Sequence, residues 1–319
     1  MRPAPHAPQD LLDTRRIGSL DVSTVGVGCN NFGWKIDEAQ SHAVVHAALD
    51  AGITHFDTAE LYGEGRSEEI LGRALGARRT DIVLATKFGF HGHDAPDGVR
   101  ASAEASLKRL GTDWIDLTIL HRPDENTPIA DTLGALRQLV DDGLVREIGC
   151  SGFSEAQLRE ADAVADEVRF VSVQNEYSLL HRQPEEDGVL DACAELDVAF
   201  VPYFPLKSGL LTGKYRKGDA VPEGSRLDTD NGTRFASMGD RLLTDENLTT
   251  VERLIGFAES HGHTLLDLAF SWLLAHGPVA SVIAGATKPS QVHGNVAASS
   301  WRLTDAEMAE VDAILRQPV

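Results

Sequence analysis

Short apolar runs rich in β-branched residues alternate along the chain with stretches whose apolar positions recur every three or four residues. The runs fall at 24–28, 53–57, 82–86, 115–120, 145–149, 170–174, 198–203 and 279–283. Such runs predict strands, and the stretches between them predict amphipathic helices. Helices are expected at 37–49, from Ser67 onward, and over 99–110, 128–141, 154–165, 185–196, 247–261, 265–275 and 289–298, with a last one at 304–315 outside the repeat. Glu68 and Glu69 suit the positive end of the helix that Ser67 opens, and Ser154 with Gln157 has the form of a capping box. Eight strands alternating with helices is the number that a closed parallel barrel needs. The expected fold is therefore α/β: a single (β/α)8 barrel of the TIM type, with an N-terminal β-hairpin around Gly18 and extra helices. Residues 204–243 break the rhythm and predict a long loop after strand 7, on the barrel face where function gathers. Residues 1–13 read as a flexible N-terminal tail, and residues 14–319 as the one barrel domain.

Composition narrows the functions. With 29 basic and 49 acidic residues the net charge is −20. A surface of that sign repels phosphate backbones and acidic lipid, so neither nucleic acid nor membrane is expected as a partner. No apolar run is long enough to span a bilayer and no leader-like segment opens the chain, which predicts a cytoplasmic protein. Cys29, Cys150 and Cys193 are too scattered for a disulfide framework and read as reduced thiols. The pairs His42/His46 and His91/His93 lack the further ligands a metal site requires, so no metal is expected. Gly26 and Gly28 begin a dinucleotide fingerprint that Asn31 interrupts. The oligomeric state is left open.

Chemistry gathers at the strand ends. Asp57 closes the second run, Lys87 follows the third and His121 the fourth, while Tyr62 lies in the loop just after Asp57. In a barrel all four converge on the C-terminal rim. A nearby ammonium increases a phenol's acidity, a carboxylate holds that ammonium in place, and a neutral imidazole orients a carbonyl.

These residues sit in FDTAELYG (56–63), ATKFG (85–89) and LHRPD (120–124), followed by VQNEYS (173–178) and SGLLTGKY (208–215). Five segments in this order resemble the aldo-keto reductase family, over nearly the whole chain from Gly18 to about Arg302. The resemblance implies NAD(P)H-linked carbonyl reduction without a Rossmann domain. It makes Tyr62 the proton donor, Lys87 its tuner, Asp57 the partner of Lys87, and His121 the group that orients the substrate carbonyl. Small carbonyl compounds or sugars are the implied substrates.

The same resemblance assigns a cofactor site. Ser151 and Gln174 would hold the nicotinamide carboxamide, and Tyr203 would stack on its ring. Pro205, Leu206 and Ser208, with Lys214 and Arg226, would form a belt over the pyrophosphate. Gly285 would belong to the same cofactor site, Thr287, Lys288 and Gln291 would meet the adenosine 2′-phosphate, and Asn295 would meet the adenine. Lys288 favours NADPH/NADP+ over NADH. The chain departs from the family at Gly152, where Asn is common, at Ala284, where Pro is common, and at Gly294, where an acid is usual. Trp34, Phe88, His91 and Phe204 are the expected substrate-lining residues, an aromatic set suited to greasy or ring-bearing carbonyl compounds. Two alternatives stand beside the reductase. One is an NAD-linked sugar or aldose dehydrogenase running in the oxidative direction. The other is a regulatory subunit like the potassium-channel β subunits, which carry Asn where this chain has His121.

Overall fold

The structure, a computed structural model, describes residues 12–92, 97–228 and 236–317. Residues 1–11 of the expected tail, His93, and residues 229–235 of the long loop lie outside the described residues. An antiparallel hairpin comes first, β1 (Thr14–Ile17) and β2 (Leu20–Ser23), pairing Ile17 with Leu20 across Gly18. Gly18 has a φ of 55°, and a Cβ there would stand 2.9 Å from the side chains of Glu147 and Val171. Only glycine fits that turn.

Eight parallel strands follow: β3 (Val25–Gly28), β4 (His55–Asp57), β5 (Val83–Phe88), β6 (Ile115–Leu120), β7 (Val145–Ser151), β8 (Phe170–Glu176), β9 (Ala199–Tyr203) and β10 (Val282–Gly285). Their hydrogen-bonded order is β10, β3, then β4 to β9 in sequence. The apolar run at 279–283 is shared between two neighbours. Val279 bridges Phe200 of β9, whereas Val282 begins the ladder with Val25 of β3. The eighth strand therefore starts later than the apolar run suggests and extends to Gly285, and the bridge at Val279 brings the ring close to closure.

The helices are α1 (Glu38–Asp50), α2 (Arg66–Leu75), α3 (Asp97–Leu110), α4 (Ile129–Asp141), α5 (Glu155–Val164), α6 (Gln183–Glu186), α7 (Val189–Glu195), α8 (Ala236–Leu242), α9 (Asp245–Ser260), α10 (Leu265–Ala275), α11 (Pro289–Ala298) and α12 (Asp305–Leu315). The Ser154–Gln157 capping box forms at the start of α5. The single helix expected over 185–196 is two, because Gly188 turns left-handed at φ 76° and caps α7 anew. The segment after β9 carries a 3₁₀ helix over Lys207–Thr212 and then α8, so part of the long loop is regular. No helix among the described residues is long and apolar enough to cross a membrane.

Strand alternation divides the core and sets up the rim. Val83 and Ala85 of β5, Leu117 and Ile119 of β6, Val201 of β9 and Ile283 of β10 form one cluster with Ile17, Leu20 and Val22 of the hairpin. That cluster fills the barrel, and the hairpin plugs its floor. The opposite faces of the strands, Leu84 and Leu120 among them, pack against the helices in a second cluster. Side chains two residues apart share a face. The inward row of β5 therefore ends at Lys87, and that of β6 points on to His121.

Candidate active site

Lys87 and Asp57 meet at the top of the filled barrel, 3 % and 2 % exposed. The Lys87 Nζ donates to Asp57 Oδ1, to the Thr58 carbonyl at 3.1 Å and to the Tyr62 hydroxyl at 3.5 Å. Three donors thus meet three acceptors, which fixes the ammonium without help from solvent. The other carboxylate oxygen of Asp57 accepts from Gln174 Nε2 at 2.7 Å. The His121 ring stands edge-on to that of Tyr62, with centroids 6.0 Å apart. All four strand-end residues singled out in the sequence are brought together.

Tyr62 owes its place to a pinned loop. Ser67 Oγ donates to the Cys29 carbonyl and shares a hydrogen bond with Thr58 Oγ1, each at 2.8 Å, tying the loop's two ends together. One residue on, Glu68 is fully buried. It accepts from Thr86 Oγ1 and from Arg109 Nε, both at 2.6 Å, linking α2 to α3 and to the residue before Lys87. Sequence reasoning took Glu68 only as a helix-dipole partner; the buried ion pair behind the loop is an addition. Its signal was the adjacency of Thr86 to Lys87, but Arg109 arrives from another helix.

The protonation states follow from burial and neighbours. Burial lowers the Lys87 pKa, but Asp57 and then Tyr62 more than offset it, so the ammonium stays charged. Burial raises the Tyr62 phenol above its usual range and outweighs the opposing pull of Lys87. This corrects the expectation that the ammonium makes the phenol more acidic overall: Lys87 only limits the rise. Tyr62 is consequently a neutral, protonated phenol at neutral pH. Burial, then the charges of Lys87 and Arg122, push His121 down to about 3, so its imidazole is uncharged. Among the described residues, no cluster of three or more His, Cys, Asp or Glu side chains is arranged to hold a metal ion.

A profile of the aldo/keto reductase family matches residues 24–316. The chain belongs to the aldo/keto reductase family. It is an oxidoreductase, and NAD(P)H-dependent carbonyl reduction is the reaction of its family. A probable voltage-gated potassium channel subunit beta of Arabidopsis thaliana is 37 % identical over 293 residues, 88 % of each chain. The L-glyceraldehyde 3-phosphate reductase of Escherichia coli K12 is 33 % identical over 299 residues, covering 89 % of this chain and 86 % of its own. Among solved structures, the glycerol dehydrogenase of Gluconobacter oxydans superposes with a TM-score of 0.81 at 33 % identity, over 96 % of this chain and 97 % of its own.

In this aldo/keto reductase the residues expected at the nicotinamide lie together. Register pairs Ser151 of β7 with Gln174 of β8, both buried, and Tyr203 ends β9 half-buried. Asp57 accepts only, so it takes the Gln174 amide nitrogen, and the Gln174 Oε1 is left buried without a partner among the described residues. The belt residues follow in a constrained turn. Phe204, Lys207 and Ser208 all have left-handed φ, at 51°, 43° and 57°. Pro205 and Ser208 are buried, and Leu206 is half-buried. Ser208 helps line a cavity of about 250 Å³ with Glu176, Phe204, Lys207, Met238, Arg241 and Leu242. Lys214 is exposed beside the Tyr215 ring, and Arg226 lies 5.9 Å from the Phe204 ring centroid. Lys35 is exposed near the same cations: desolvation first, then the charges of Arg226 and Lys214, lower its pKa.

At the far side, Gly285 packs against the rim of the first loop. A Cβ there would stand 3.1 Å from Asn30 Oδ1 and Asn31 Nδ2. Lys288 is exposed at the N-cap of α11, with Asn295 buried further along. Gln291 Oε1 accepts from the Thr287 amide at 2.7 Å and hydroxyl at 3.1 Å. Thr287 therefore orients Gln291, leaving the Gln291 NH2 and Lys288 as the outward donors. Of the substrate set, Trp34 is 44 % exposed, His91 is exposed with its ring 5.0 Å from that of Phe90, and Phe204 stacks edge-on to Tyr203. Phe88 departs from expectation. It is buried in the helix-facing core with Leu84, because it has the opposite parity to Lys87 on β5. Phe90, two residues further on, stands edge-on to His121 with ring centroids 4.9 Å apart.

Proposed function

We propose that the chain reduces an aldehyde or ketone to an alcohol with NADPH, Tyr62 serving as the general acid. The observation that carries this is a protonated, partly buried phenol joined to the Lys87 ammonium, beside an uncharged His121. The cofactor fits the residues present: the orphaned Gln174 Oε1 is an acceptor in want of a donor, as a carboxamide NH2 would supply. When bound, NADPH supplies the hydride.

The chain's own residues supply the rest. Asp57 fixes the Gln174 amide as well as Lys87, so one carboxylate aligns the carboxamide holder with the acid. His121, being neutral, retains one N–H with which to orient the carbonyl oxygen without taking its charge. Tyr62 gives its hydroxyl proton to that oxygen as negative charge develops there. The phenolate that results is stabilised by the Lys87 ammonium until a proton returns. A phenol raised above its usual range favours the reductive direction at neutral pH, since oxidation of an alcohol needs Tyr62 as phenolate. The test is oxidation of NADPH, followed by its absorbance, with a panel of aldehydes and ketones. No turnover with any of them would end this reading.

Cofactor choice follows from α11. Lys288 at its N-cap and the Gln291 amide would give a 2′-phosphate charge-assisted bonds that NADH lacks. NADPH is expected to bind more tightly than NADH. Lys288→Ala should narrow the gap by about 1–2 kcal/mol, the low end for bonds to charged groups because Lys288 is exposed. Fluorescence titration with both cofactors checks it; equal affinities unchanged in the variant would contradict the placement.

A further inference from the structure

Basic side chains in so acidic a protein have carboxylates to spare, and most are paired. Arg79 and Arg146 share Asp116, Arg109 holds Glu68, Arg182 takes Glu185 and Asp312, and Lys207 takes Glu176. Arg122, exposed on the rim directly after His121, has no carboxylate partner among the described residues. Its guanidinium lies instead over the Phe90 ring, 4.0 Å from the centroid. Phe90 in turn packs against His121 at 4.9 Å, and His121 against Tyr62 at 6.0 Å. A row of rings thus leads from the phenol outward to a cation.

Several neighbouring charges already have partners. Lys87 is balanced by Asp57, and His121 is neutral. Tyr203, across the mouth, feels both Arg122 and Glu176, and Glu176 is committed to Lys207. Lys35 and Lys214 group with Arg226 on the belt side. At the Phe90 side of the mouth, Arg122 is the cation that no carboxylate of the described residues neutralises.

We propose that Arg122 binds an oxyanion on the substrate, and that the preferred substrates are aldehydes or ketones bearing a carboxylate or phosphate group. This rests on the carbonyl reduction proposed above and deepens it. A guanidinium presents a planar fork that fits either anion, and stacking on an aromatic face holds that fork in place before the substrate arrives. The Phe90 and His121 rings set the spacing between the anion and the reacting carbonyl. A local cation also offsets the repulsion that a net charge of −20 imposes on anionic substrates.

The experiment compares kcat/KM within matched pairs at saturating NADPH: succinic semialdehyde against butanal, and glyceraldehyde 3-phosphate against glyceraldehyde. The wild type should favour the anionic member of at least one pair, and added salt should shrink that preference because Arg122 is exposed. Arg122→Gln should lower the anionic-to-neutral ratio by about tenfold or more, the weight of one charge-assisted bond, and Arg122→Lys should restore part of it. A response confined to one pair identifies the carboxylate or the phosphate as the group recognised. An unchanged ratio, or an equal loss on both members of each pair, overturns the assignment while leaving carbonyl reduction intact. NADPH oxidation with other aldehydes or ketones but with none of the four overturns the assignment alone, and oxidation with no carbonyl compound overturns both.

Discussion

Tyr62→Phe is expected to lower kcat for carbonyl reduction by about 10²–10⁴-fold, the usual contribution of a positioned general acid. The ring remains, so its edge-on packing with His121 is kept. What disappears is the hydroxyl that Lys87 holds at 3.5 Å. NADPH affinity should barely move, because Gln174, proposed above to hold the carboxamide, is fixed by Asp57 and not by Tyr62. Steady-state turnover and cofactor titration on the same preparation check both halves. A variant that kept most of its turnover would remove Tyr62 from the role of acid.

Lys87→Met should combine a chemical loss with a structural one. Without the ammonium the phenol's pKa rises further and its phenolate loses its stabilising partner, so kcat falls. Asp57 is simultaneously left as a buried carboxylate without its counter-charge. Breaking a buried pair from one side costs about 3–5 kcal/mol, so the melting temperature should drop as well. The two losses separate in the double variant. Lys87→Met with Asp57→Asn removes both charges, which should recover much of the stability but none of the turnover. Asp57→Asn alone should slow turnover less than Lys87→Met, since Lys87 itself remains. It also disturbs Gln174, because an asparagine NH2 facing Gln174 Nε2 sets donor against donor. Recovery of turnover in the double variant would show that Lys87 acts only by holding the fold.

How much of this the sequence discloses depends on whether a feature is local. Barrel strands are short runs with their own composition, so all eight are legible. The inward row of Val83, Ala85 and Lys87 needs only counting by twos. The same count places Phe88 on the helix side, away from the row that ends at Lys87. Gly188 was also readable as a break, yet the apolar period on either side of it conceals the left-handed turn. Other features depend on what arrives from elsewhere in the chain. Glu68 resembles any acid in a first helical turn until Thr86 and Arg109 close around it. The balance on the Tyr62 phenol was read from its charged neighbour alone, whereas burial, which only packing determines, is the larger effect. Val279 and Val282 belong to one apolar run, but which neighbour each pairs with is decided where the ring closes.

The most direct test of a protonated Tyr62 beside a neutral His121 is the pH dependence of kcat/KM for reduction, in the wild type and in Tyr62→Phe. His121 is protonated only near pH 3, so its titration should cause no fall through the mildly acidic range. Activity should stay level through neutrality and decline in the alkaline range as the phenol ionises, since only the protonated form can donate. That alkaline limb should be missing from the residual activity of Tyr62→Phe. The same limb persisting in the variant, or a wild-type decline centred at the ordinary pKa of histidine that the variant shares, would contradict the account.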